Sequence, residues 1–124
     1  MSQTSVIALP ARQINVCECC LIANRPLSRM RGLLGRRELT AGEGLLLAPA
    51  GSIHTHFMRF AIDAVFLDGD SRVVGVRSAM APWHMARARG AKAVLELRAG
   101  EAQERGIQVG DVLQVGSARE ALHV

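Results

Sequence analysis

A mainly β domain, either a small barrel or a sandwich of about six strands with two short helices, is what this sequence predicts. Three observations point there. Short apolar runs recur between Gly, Pro, Asn or Asp residues: GLLLAP, FAIDAVFLD, RVVGV and AVLEL. Helical spacing of apolar residues is confined to two brief stretches. Aromatic residues make only 3% of the chain, so Leu, Val, Ile, Ala and Met must build the core. With 124 residues, 49% of them hydrophobic, the chain suits one domain able to bury that core without staples.

Residues 1–13 show no clear period and contain Pro10, which predicts a flexible N-terminal arm. The single β-rich domain is expected over 14–118, with 119–124 as a C-terminal tail. Ile14 to Ile22 has strand patterning. Pro26, Leu27 and Ser28 form a helix start with Ser28 able to cap. Met30, Leu33 and Leu34 then share one face, and Gly35 ends the helix. Gly42 and Gly44 bracket a turn before LLLAP, which Pro49 stops. Residues 53–58 read as extended. Ile62 to Leu67 is a strand running into DGDS, a strong hairpin signal, and RVVGV returns. APWHMARARGA is expected as a long loop. AVLEL is a strand with Glu96 between Leu95 and Leu97, AGEAQERG a short helix closed by Gly106, and IQVGDVLQV a turn and strand pivoting on Gly110 and Asp111.

Charge narrows the function classes. The formal net charge is +4, and fourteen of the fifteen basic residues are Arg, Lys92 being the one lysine. No acidic residue lies between Asp70 and Glu96, a stretch that holds Arg72, Arg77, Arg87, Arg89 and Lys92. Most such residues simply solvate a surface, but together they favour an anionic partner. Few aromatics are available to stack bases, which weighs against nucleic acid. No run is long enough to span a membrane, and the N-terminus lacks the basic and apolar regions of a signal peptide. Three cysteines within four residues make a poor disulfide framework. A cytoplasmic setting is therefore expected. There is no Walker A, Rossmann or nucleophile-elbow pattern, and no cofactor is expected. Nothing sets an oligomeric state.

The stretch SIHTHFMRFAID carries the chemistry. In an extended segment His54 and His56 share a side, as two zinc ligands would. Only His84 and the cysteines could complete such a site, so no metal is expected. Asp63 lies in FAIDAVFL, where both faces read as buried. An ionised carboxylate there needs a partner. Arg59, His54 and Arg31 are the cationic candidates, and backbone amides are the structural alternative. Strand alternation sends Cys17 and Cys19 to one face and Cys20 to the other. All three read as ordinary buried thiols. Trp83 is either an anchor for its loop or the wall of a pocket.

Three ordered motifs, RGLLGRREL, GEGLLLAPAGSIHTHFMRFAIDAVFLD and VLELRAGEAQERGIQVGD, together resemble domain-of-unknown-function family 192, small bacterial and archaeal proteins. The resemblance covers roughly residues 14–116. Ser52, Ile53, His54, Thr55, Met58, Arg59, Ile62 and Asp63 match its middle motif, and Arg31, Gly32, Leu33 and Leu34 its early one. Gly106, Ile107, Gly110 and Asp111 match the late one. The cysteine group and His56 fall outside the pattern, and Ala61 stands where related sequences often carry proline. The resemblance implies a compact, mainly β domain and no particular activity.

Two functions fit these residues. In the first, Arg31, His54, Thr55, Arg59, Asp63 and Trp83 line a polar pocket for a small anionic ligand or peptide segment. In the second, an enzyme uses His54 as general acid or base, oriented by Asp63, with Arg59 stabilising negative charge. Binding is the expectation. Geometry separates the two, since catalysis requires His54 within reach of Asp63.

Overall fold

The computed structural model describes residues 3–23, 39–55 and 59–116. It holds nine strands: β1 (Gln3–Leu9), β2 (Ile14–Ala23), β3 (Glu43–Leu47), β4 (Ser52–His54), β5 (Ile62–Leu67), β6 (Val73–Met80), β7 (Met85–Arg87), β8 (Ala93–Arg98) and β9 (Gln114–Gly116). One short helix, α1 (Glu101–Glu104), and a 3-10 turn over Pro10–Arg12 complete the described elements. The expected helix at 27–35 lies outside the described residues.

Seven strands form one curled half-barrel sheet in the order β6-β5-β8-β3-β2-β1-β9. Every neighbouring pair is antiparallel except β2 and β3. The outer edges approach each other at one end. There Arg72 bridges Val112, Val73 N–H donates to Asp111 O (2.7 Å), and Leu113 N–H donates to Ser71 O (2.9 Å). The remaining strands, β4 and β7, make a separate two-stranded ribbon.

Two apolar clusters explain why both faces of the central strands are greasy. Val65, Leu67, Leu95 and Leu97 join Ile7, Leu9, Val16 and Ile107 on one side. On the other, Ile62, Ala64, Phe66, Val94, Leu45 and Leu47 pack with Ile53 of β4 and Ala86 of β7. β5 is therefore buried at every position, and the ribbon is the lid of the second cluster. Burying Phe66 alone contributes about 2–3 kcal/mol. The DGDS hairpin forms as its sequence implies. Asp68 Oδ1 accepts from Asp70 N (2.8 Å) and Arg72 N (2.9 Å), and these amides hold its carboxyl below the usual carboxylate range.

Three expectations change. Residues 3–9 are a strand rather than an arm: β1 pairs with β2 and β9, and Ile7 and Leu9 are fully buried. The predicted loop at 81–91 contains β7. A β-bulge also breaks the alternation of the cysteines, because Ser5 opposes Cys20 while Ile7 opposes Cys17. That gives β2 one extra residue, so Cys17 and Cys20 both enter the first core and Cys19 is exposed. The neighbouring Cys17 thiol and burial push the Cys20 thiol up, away from the thiolate a nucleophile would need.

Candidate functional site

The opening of β5 positions Asp63 at the first core, opposite Leu97 of β8. Its carboxylate is fully buried, and its partners are backbone amides. Oδ1 accepts from Ala79 N (2.7 Å), while Oδ2 accepts from Gly100 N (3.0 Å) and Ala102 N (2.9 Å). Gly100, at φ 93° in the left-handed region open to glycine, has no side chain to cap α1. Asp63 supplies that cap from another strand. Among the described residues its hydrogen bonds come from these amides and not from Arg59 or His54, while Arg31 lies outside them.

Beside it lies a charged network. Glu101 is 1% exposed and accepts from Gly42 N (2.9 Å), with Arg105 Nη2 at 2.9 Å and Arg98 Nη2 at 3.3 Å. Burial works against its ionised form, but the Gly42 amide and the two guanidinium groups outweigh it and hold the carboxyl low. Arg105 also forks onto Glu18 and donates to Asn15 O (2.8 Å). The hydrogen bonds to Glu18 push its own pKa up further. These groups join β2, the β3 turn and α1, which is structural work.

Thr55, His54 and Trp83 come together elsewhere, at the ribbon. Ser52 opposes Arg87, Ile53 opposes Ala86, and His54 opposes Met85. Ile53 and Ala86 point into the second core, so Ser52, His54, Met85 and Arg87 form the outer face. Past its end, Thr55 is a clip. Its Oγ1 donates to Ala81 O (2.6 Å) and accepts from His84 N (2.9 Å). Its backbone N–H donates to His84 O (2.8 Å), and its O accepts from Trp83 N (3.0 Å). His84 Nδ1 lies 2.8 Å from Pro82 O, which places a ring proton there. The tight loop holds Trp83 at φ 66° with the residue 61% exposed, and Met85 is 67% exposed. A non-glycine residue in the left-handed region persists where surrounding structure fixes it, a frequent feature of binding loops.

At the other end of the ribbon an open groove of about 450 Å³ runs between Pro49, Ser52 and Lys92. Ser52 belongs to both groove and ribbon, so the two are continuous. Arg59, Arg87, Arg89 and Lys92 are exposed. Arg31 and His56 lie outside the described residues. Among the described residues no group of three His, Cys, Asp or Glu side chains could hold a metal, and no helix is long and apolar enough to cross a membrane.

His54 and Asp63 are thus on opposite sides of the large sheet, one facing out from the ribbon and the other facing the first core. The acid–base pair of the alternative, enzymatic reading would need His54 beside Asp63, whose hydrogen bonds among the described residues come from amides. A further buried carboxyl is Glu96, 4% exposed in β8, opposite Ala64 and Leu45. Its signal was a glutamate set between Leu95 and Leu97 in an otherwise apolar strand.

With this architecture in view, the comparisons define the class. The model of domain-of-unknown-function family 192, described as "Uncharacterized ACR", matches residues 11–115, and the chain belongs to that family. A protein of unknown function from Novosphingobium aromaticivorans superposes with TM-score 0.75 at 22% identity, covering 91% of this chain and 84% of that one. A protein from Sinorhizobium meliloti, described as a putative transcription regulator, gives TM-score 0.77 at 21% identity, covering 92% of each chain. At these identities the likeness shows the fold alone. A search of functionally curated proteins returns no match.

Proposed function

We propose that this domain is a non-catalytic binding module that takes a small anionic ligand or peptide segment on the outer face of the β4–β7 ribbon. The observation that carries it is the Thr55 clip, which fixes an exposed tryptophan in a left-handed conformation beside a cationic surface. A rigid aromatic loses little entropy on binding, and Arg supplies bidentate capture of carboxylate or phosphate. Trp83 and Met85 provide an apolar platform, His54 and Arg87 lie along it, and Arg59 follows in the next loop. Asp63 serves this site indirectly, by anchoring the sheet on which the ribbon rests.

Catalysis by His54 draws no support from the geometry, because the carboxylate meant to orient it holds amides on the far side of the sheet. One structural neighbour is described as a putative transcription regulator. The one described helix here spans four residues, too short for reading a major groove.

A thermal-shift panel of phosphates, carboxylates and acidic peptides, with duplex DNA as a further arm, tests the proposal. A hit should raise the melting temperature of the wild type, and Trp83→Ala and Arg87→Ala should each weaken it about tenfold or more. A ligand that binds both variants as tightly as wild type would remove the ribbon from the site. Binding of DNA alone would replace the anionic small molecule or peptide with a nucleic-acid function.

A further inference from the structure

A four-strand row crosses one face of the large sheet. Arg77 of β6 opposes Ala64 of β5, Ala64 opposes Glu96 of β8, and Glu96 opposes Leu45 of β3. Directly opposed residues share a face, and Ala64 and Leu45 belong to the second core. The Glu96 carboxyl therefore points into the layer that Ile53 and Ala86 of the ribbon cover. It is 4% exposed, and burial is what acts on its carboxyl, with no hydrogen-bond or charge partner among the described residues.

We propose that Glu96 is a proton-operated latch beneath the β4–β7 ribbon. While its carboxyl is neutral the ribbon stays seated, and when it ionises the ribbon loosens together with the face it carries. The ribbon is the element suited to yield. Its strands have three residues each and no ladder to the large sheet, whereas β8 is hydrogen-bonded on both sides. Local opening draws on such weakly tied segments.

Among the described residues the charged groups facing Glu96 are few. Arg77 lies across Ala64, exposed. Arg98 and Glu43 lie two residues along on the same face. Arg98 is paired with Glu101 and Glu104, and the Glu43 carboxylate accepts from Thr40. The ribbon's inner residues, Ile53 and Ala86, carry no charge. Once the ribbon lifts, the exposed Arg77, in the same row two strands away, can receive the carboxylate.

The sign follows from burial, which pushes Glu96 up to about 8. The seated state holds the proton more tightly than an opened state with an ordinary glutamate. Seating is thus complete at low pH and is lost as pH rises toward about 8. Above that both states are ionised and the loss levels off.

Coupling to ligand rests on the binding face proposed above, but the latch does not. Hydrogen exchange on the full chain at pH 6 and pH 9, corrected for intrinsic rates, tests it without ligand. In wild type the amides of Thr55, Trp83 and His84 should lose protection by about tenfold or more between the two pH values. In Glu96→Gln and Glu96→Leu they should not, and β1–β2 amides should stay protected in all three. Equal loss in wild type and variants, no loss in wild type, or loss spread evenly over β1–β2 would each overturn the latch. If the latch holds in exchange while no member of the thermal-shift panel binds, the binding function alone is sunk.

Discussion

Asp63 and Glu96 are buried carboxyls on neighbouring strands, a single register step apart, and they show opposite solutions to one problem. Asp63 opposes Leu97 and points to the first core, where three amides meet it. Glu96 opposes Ala64 and Leu45 and points to the second, where apolar side chains flank it. Burial alone does not decide the state of a carboxyl. Hydrogen bonds to both oxygens offset the desolvation of Asp63, and at Glu96, without them, burial pushes the carboxyl up. The side with partners is the rigid half of the molecule, holding α1, β6 and the sheet together. The other side bears the ribbon.

The comparison breaks most sharply at Asp63. Asp63→Ala should cost about 4 kcal/mol, since it leaves three amides without their acceptor. Asp63→Asn should cost roughly half that, because one oxygen remains. Urea denaturation measures both. A loss below about 1 kcal/mol for the alanine variant would mean that water replaces the carboxylate and that the two sides differ little.

Glu96 should behave in the opposite direction. Leucine in its place loses no partner, so Glu96→Leu should stabilise the domain by about 2–3 kcal/mol at pH 8.5. The gain should shrink to about 1 kcal/mol or less at pH 5, where the wild-type carboxyl is neutral when folded and half ionised or more when unfolded. A pH-independent difference between the proteins would show that this carboxyl does not titrate across the range.

Glu101 sharpens the contrast from the rigid side. Its folded pKa is held low, so its contribution is present above the ordinary glutamate value and is lost as pH falls through the lower folded value. Glu101→Gln should cost about 2 kcal/mol at pH 7 and flatten the acid limb of the stability profile. An unchanged acid limb would assign that slope to other carboxylates.

Much of this was legible in the sequence, and the gaps have a common cause. FAIDAVFL announced a strand buried on both faces, DGDS its hairpin, and the Gly110–Asp111 pair its turn. What stayed hidden was non-local. Three residues of β7 gain strand character only from pairing with β4 more than thirty positions earlier. β1 was obscured by Pro10, although its partners lie at β2 and β9. Alternation failed for Cys20 because a bulge inserts one residue, and no side-chain pattern marks it. Asp63 was singled out by its burial, but amides are the same at every residue, so its partners carry no sequence signal. Glu96 did show, as a charge between leucines. Its meaning depends on which layer covers it.

The smallest expected effect is also the most local. Thr55→Val keeps the shape of the buried side chain and removes the hydroxyl that joins Ala81 O to His84 N. The two backbone bonds of residue 55, to His84 O and from Trp83 N, survive, so the cost should be about 1–2 kcal/mol rather than collapse of the ribbon. The consequence should appear at Trp83, the chain's one tryptophan and hence its sole indole reporter. Without the hydroxyl its loop can leave the left-handed conformation, which costs a non-glycine residue about 1–3 kcal/mol to hold. Fluorescence anisotropy of Thr55→Val should fall below that of the wild type under conditions where both proteins are fully folded. Unchanged anisotropy would show that the backbone bonds alone fix the loop, and the ribbon's outer face would then be as rigid as the sheet beneath it.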